Sequence, residues 1–153
     1  MRKIKRIPVT REGYEKLQRD LEELKLLRPQ AVITLSDARK MGDLSENGLY
    51  TAAKMRLKSI DAQIFRLNIQ IKLADIIEKK TDGAIGINTK VKISDGKKER
   101  ELHIVGQYEA DPLNNKISSN SPMGRALIGR VEGDSVNVYT PSGKATYKVL
   151  KIS

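Results

Sequence analysis

Apolar residues recur along the first half of the chain at alternating intervals of four and three. Leu17, Leu21, Leu24, Arg28, Ala31, Leu35 and Ala38 form one such series, and Ala53, Leu57, Ile60, Ile64, Leu67, Ile71 and Ala74 form another. This spacing lays a narrow seam along each of two helices, as a coiled coil requires. Arg28 is the only polar intrusion, and its aliphatic stem can still cover apolar surface. The two segments are of similar length and a short loop joins them, so they are expected to fold back as an antiparallel hairpin. At 1.5 Å per residue, an arm of about 28 residues reaches roughly 40 Å. Pro29 lies inside the first arm, where it removes a hydrogen bond. The seam resumes in phase beyond it, which predicts a bend rather than a break.

The ends of these arms carry their own signals. Thr10-Arg11-Glu12-Gly13 fits a helix start, with Thr10 as N-cap and an acid in the first turn. Gly13 is a mild cost there. The second arm is expected to end near Ile76–Lys80, where Lys79 and Lys80 suit the negative end of the helix dipole. Thr81-Asp82-Gly83 then breaks the pattern. This sets a boundary between a hairpin domain, 1–79, and a second domain, 80–153.

In the second domain the period changes to two. Thr89–Ile93 and Glu99–Gly106 read as strands around the turn Ser94-Asp95-Gly96-Lys97. Val136–Thr140 and Ala145–Ile152 flank Pro141-Ser142-Gly143-Lys144, a second hairpin signal. Between them, Ser121-Pro122-Met123-Gly124 opens a short helix. The fold class read from these elements is α+β: an antiparallel coiled-coil hairpin followed by a small antiparallel sheet with one short helix.

Composition narrows the function. The chain has 153 residues and no cysteine, which excludes disulfides and thiolate metal sites. A single histidine, His103, leaves no Cys/His nucleophile pair. No Walker or Rossmann glycine pattern appears. Aromatics are too sparse for a base-stacking platform. No apolar run reaches membrane-spanning length and no signal-peptide core follows the basic N-terminus, so a cytoplasmic protein without a membrane partner is expected. The formal net charge is +10, of which residues 1–80 carry +7. Such an excess favours nucleic acid, or a complex that holds it, as partner. A solvated basic surface would have the same composition.

The candidate chemistry sits between the arms, at 41–47. Met41-Gly42-Asp43-Leu44-Ser45-Glu46-Asn47 places two carboxylates at the hairpin tip. In one reading they are a capping box: Asp43 caps the second helix and Glu46 reaches back. In the other they bind metal. Magnesium takes oxygen ligands, keeps several waters, and is often held by one or two carboxylates plus substrate phosphates. An exposed pair could complete a site that a partner supplies. Arg39 and Lys40 precede the tip, and Lys54, Arg56 and Lys58 follow it. Lys54 and Lys58 share a helix face.

Three blocks resemble the bacterial GreA/GreB transcript cleavage factors, over essentially the whole chain. They are Thr10–Leu17, Ala38–Tyr50, and Asn120–Gly129 followed by Gly133-Asp134. The resemblance implies a coiled coil plus a domain similar to the FK506-binding-protein fold. It implies a monomer that binds RNA polymerase, with Ser121, Pro122, Met123 and Gly124 in the docking region and the coiled coil in the secondary channel. There Asp43 and Glu46 would help hold a Mg2+ shared with the polymerase active site, which cuts backtracked RNA. The chain would thus stimulate another enzyme rather than be one. Arg39 matches a basic-patch position near the extruded RNA 3′ end, and Lys54 occupies another; Arg56 and Lys58 extend that patch. Where the family usually carries Ala and an acid before the tip tyrosine, this chain has Gly48 and Leu49. A relative that plugs the polymerase channel and inhibits it would share this architecture, so that reading stays open, as does an independent coiled-coil adaptor. No prolyl isomerase activity is expected, since the few aromatics cannot line its pocket.

Overall fold

The computed structural model describes residues 4–43 and 46–153. It contains two compact units. One is the hairpin, Glu15–Leu73; the other combines the residues up to Tyr14 with Ala74–Ser153. The segment before the hairpin, and 74–79 after it, therefore group with the sheet-bearing unit.

In the hairpin unit, α1 (Arg11–Arg39) and α2 (Gly48–Leu73) are the two arms. The seam positions are the covered ones. Leu21, Ala31 and Ala38 are buried on α1, Ala53 and Ile60 on α2, and the remaining apolar seam residues are half-buried. Alanines at 31, 38 and 53 suit a narrow seam, because small side chains let helices approach closely. α1 runs unbroken through Pro29. Arg28, the polar intrusion, points its fork at the other helix. Its Nε and Nη2 donate to Asp61 Oδ1 and Oδ2 at 2.5 and 3.2 Å. This hydrogen-bonded pairing holds Asp61 below the usual carboxylate range and raises Arg28.

The expected end of the second arm is wrong. α2 stops at Leu73, and Ala74–Ile76 is a strand, β2, parallel to β1 (Ile7–Val9). The seam continues to Ala74, but the backbone changes partners there. Val9 is fully buried, and its carbonyl accepts from Ile77 N at 2.8 Å. The pairing offered by Ile7-Pro8-Val9 overrides the helical period.

In the second unit, β3 (Thr89–Ser94) and β4 (Glu99–Val105) form one hairpin, and β6 (Ser135–Thr140) and β7 (Gly143–Ile152) another. With β5 (Lys116–Ser118) they make a five-stranded sheet in the order β5-β4-β3-β7-β6. The sheet is antiparallel except at β5, which pairs with β4 in parallel. The β3 burial alternates as a half-covered strand should, with Thr89, Val91 and Ile93 inward. Val91 and Ile93, with Leu102, Ile104, Val136 and Val149, meet Ile85 and Leu127 in the core. Each such side chain contributes roughly 1.5–3 kcal/mol of burial.

The short helix α3 (Pro122–Leu127) begins as expected. Ser121 Oγ accepts from Gly124 N at 3.0 Å, and Pro122 occupies the first turn. The Ser121–Pro122 bond is trans. His103 lies on β4 with Nε2 3.1 Å from Asn88 Oδ1. Burial, then the nearby Lys116 and Lys90 charges, lowers its pKa.

Candidate functional site

The tip begins where α1 runs out. Lys40 N and Met41 N still bond back to Asp37 O and Ala38 O, at 3.1 and 3.2 Å. Gly42 then turns the chain at φ +119°, a conformation that side-chain-bearing residues rarely adopt. Asp43 and Glu46 follow, both exposed. Leu44 and Ser45, inside the expected tip segment, lie outside the described residues.

The capping box expected from Asp43 and Glu46 is not what starts α2. Asn47 takes that role: its Oδ1 accepts from Tyr50 N at 3.1 Å, and Thr51 N bonds to Asn47 O at 3.2 Å. The same side chain reaches across the hairpin, with Nδ2 donating to Ala38 O at 2.8 Å. The assignment of the amide is chemically forced, because a carbonyl only accepts and an N–H only donates. Gly48 is then the first helical residue, where helix propensity costs least, since its N–H lies among those with no intrahelical partner.

The basic residues occupy different surroundings. Arg39 ends α1 with its guanidinium carbon 5.9 Å from the centre of the Tyr50 ring, a cation–π contact between the arms. Lys54 and Lys58 lie one turn apart on α2, exposed, and make no ion pair among the described residues. Arg56 borders a shallow groove of about 380 Å³ with Ala38, Met41, Leu49 and Ala53. Met41 and Leu49 stand 68% and 64% exposed, an apolar pair beside the carboxylates. The Asp37 and Lys40 side chains approach at 3.8 Å on the outer face of α1.

The described residues contain no cluster of three or more His, Cys, Asp or Glu able to hold a metal. Two exposed carboxylates supply hard oxygen donors of the kind magnesium prefers, but too few to enclose it. They fit a shared site and not a closed one.

In the second unit, the four expected docking residues have structural duties. Ser121 caps α3. Gly124 is buried, and a Cβ on it would collide with Ser118 O. Met123 packs on the core, and Pro122 alone of the four is exposed.

Two family models match the chain: the N-terminal domain of transcription elongation factors over residues 7–76, and the GreA/GreB C-terminal domain over 80–153. The transcription elongation factor GreA of Thermodesulfovibrio yellowstonii is 39% identical, over 97% of this chain and 97% of that protein. GreA of Lactococcus lactis subsp. lactis is 42% identical, over 97% and 98%. The chain belongs to the GreA/GreB family of transcription elongation factors. Among solved structures, the GreA factor homolog 1 protein of Thermus thermophilus aligns at TM-score 0.46 with 30% identity, over 97% of this chain and 99% of that one. The GreA/GreB models divide at residues 76–80, whereas the compact units divide at 14 and 73.

Sequence reasoning missed Asn47 as the cap and Tyr50 as the seat of Arg39. The signal for Asn47 was present, since Asn immediately before an apolar-periodic run is a cap signature. The acidic pair drew the cap assignment away from it.

Proposed function

We propose that the chain binds RNA polymerase through its secondary channel and stimulates the polymerase's own cleavage of backtracked RNA. The observation that carries this reading is the exposure of both Asp43 and Glu46 between the arms of a GreA/GreB-family hairpin. Exposed carboxylates are hard oxygen donors of the kind magnesium takes from a partly built site, so they are suited to completing one that a partner supplies.

In this reading Asp43 and Glu46 would contribute oxygen ligands to a magnesium ion shared with the polymerase. That ion, when bound, supplies charge stabilisation at the scissile phosphate and lowers the pKa of water. The chain's own residues do the rest. The carboxylates orient water by hydrogen bonding, and Arg39, Lys54, Arg56 and Lys58 attract the extruded RNA backbone. Pro122 and the exposed surface around α3 would dock on the polymerase.

The test is RNA cleavage in purified backtracked complexes, with wild type beside Asp43→Asn and Glu46→Gln. Both amides lose the charge and keep the shape. Accelerated cleavage by wild type, abolished in the two folded variants, supports the reading. No acceleration, with slowed ordinary elongation, would instead make the chain a channel-plugging inhibitor.

A further inference from the structure

Asp43 and Glu46 fall after α1 has ended and before α2 has begun. A metal ligand or water-orienting group works only if it is held in place, within about half an ångström. Among the described residues, one side-chain amide bonds to the backbone of both helices at this end of the hairpin.

That side chain is Asn47. Its Oδ1 accepts from Tyr50 N at 3.1 Å, in the first turn of α2, and its Nδ2 donates to Ala38 O at 2.8 Å, in the last turn of α1. Ala38 is buried, and its carbonyl also takes Met41 N. One planar amide thus joins the C-terminal end of one helix to the N-terminal end of the next. A pure N-cap needs only the acceptor half; Ser, Thr or Asp would serve equally well. Among residues that cap well, the donor half is special to asparagine: Asp has no N–H, and the Ser hydroxyl is a bond shorter. Arg39 over the Tyr50 ring adds a second tie across the same ends.

We infer that Asn47 is a positioning residue: by clamping Ala38 of α1 to Tyr50 of α2 it closes the turn that bears Asp43 and Glu46, and so fixes where those carboxylates are presented. This rests on the proposed cleavage function only for its consequence in the complex; the clamp itself is a property of the free chain. Asn47 acts through the turn, and the substrate-directed groups remain the two carboxylates.

The experiment compares wild type with Asn47→Asp and Asn47→Ser, both in the full chain. Each variant keeps an acceptor for Tyr50 N and loses the amide donor to Ala38 O. Asp adds a charge and Ser does not, so a shared effect reports the lost donor. Two readouts are taken. The first, on the free protein, is backbone 15N relaxation at Gly42, Asp43 and Glu46 together with helicity by circular dichroism. The second, in backtracked complexes, is the saturating cleavage rate, the factor concentration at half-maximal rate, and the Mg2+ concentration at half-maximal rate.

The expected result is unchanged helicity with lower order parameters confined to the tip. The saturating rate falls about 10-fold and the Mg2+ requirement rises, as for partners that orient ligands indirectly. The half-maximal factor concentration stays within about twofold, because polymerase docking is untouched. Tip order parameters equal to wild type in both variants would overturn the inference. So would lost order that leaves the rate and the Mg2+ requirement unchanged. If wild type itself fails to stimulate cleavage, the proposed function falls, and the relaxation arm alone decides the clamp.

Discussion

From ninety-nine positions along the chain, the Glu109 carboxylate accepts both the hydroxyl and the backbone N–H of Thr10, the residue whose side chain caps α1 at Gly13 N. It also takes Gly106 N at 3.0 Å. Thr10 is buried, so these donors have no water to turn to. Replacing Glu109 with Ala strands buried donors and is expected to cost about 1–3 kcal/mol. Urea unfolding followed by circular dichroism checks it; a change under 0.5 kcal/mol would show that water repairs the gap.

Gly13 is the counterpart of this contact. A Cβ there would run into the Glu109 carboxylate. Gly13→Ala should therefore destabilise by about 1–3 kcal/mol, although alanine is by far the better helix former. In the Glu109→Ala background the collision is gone, and the same substitution should become neutral or stabilising. That sign change in a double-mutant cycle is the diagnostic outcome.

The Arg28–Asp61 pair makes a pH prediction. The Arg28 hydrogen bond depresses the Asp61 pKa in the folded chain. Its contribution is present above the unfolded carboxylate value of about 3.9 and is lost as pH falls through the lower, folded value. The stability gap between wild type and Asp61→Ala should be flat from neutral pH down to roughly pH 4, then close on further acidification. Both side chains are nearly half exposed, so added salt should narrow it at any pH. A gap unchanged at pH 2 would assign the effect to packing of the side-chain stem.

Gly42 turns the chain at positive φ, with no atom of the described residues near the place of a Cβ. The cost of Gly42→Ala is then backbone strain alone, on the order of 1–3 kcal/mol. An exposed turn can relieve strain by moving, so global stability should fall less than this, with the tip amides absorbing the change. Hydrogen exchange across 38–50 measures both.

Lys54 and Lys58 are like charges on one face of α2 without ion-pair partners among the described residues. Removing both with alanine should leave helicity equal or higher. If they face RNA phosphates, the double variant should need more factor at half-maximal cleavage, and its salt dependence should be shallower by about one logarithmic unit of slope per lost contact. An unaltered salt slope would make the pair a solvated surface.

The hairpin was legible because a seam is a local, periodic signal: all thirteen apolar seam positions named from sequence proved buried or half-buried. Thr10, Ser121 and the two hairpin turns were legible for the same reason, since caps and turns are decided by neighbours, although Ser94 falls in β3 and Gly143 and Lys144 in β7. Apart from the Asn47 cap, the departures are nonlocal. Ala74–Ile76 left the helix because Ile7–Val9 offered it a ladder, and β5 is a three-residue strand defined only by its partner β4. Gly13 looked like a cost until Glu109 occupied the space beside it. At the tip, the residue types left a capping box and a metal site both open, and which side chain capped α2 depended on where the helix began.

The pairing of β1 with β2 makes the hairpin an insertion within another unit's chain path. Its two ends, at Tyr14 and Ala74, both belong to the same compact body. That body cannot finish assembling from an emerging polypeptide until the whole hairpin has been made. The cost of joining strands so far apart in sequence is an entropic one. Two helices that zip together by contacts along one seam bring those ends close first. The hairpin is thus a cassette in the chain path: a replacement would have to return its ends side by side for β1 and β2 to pair.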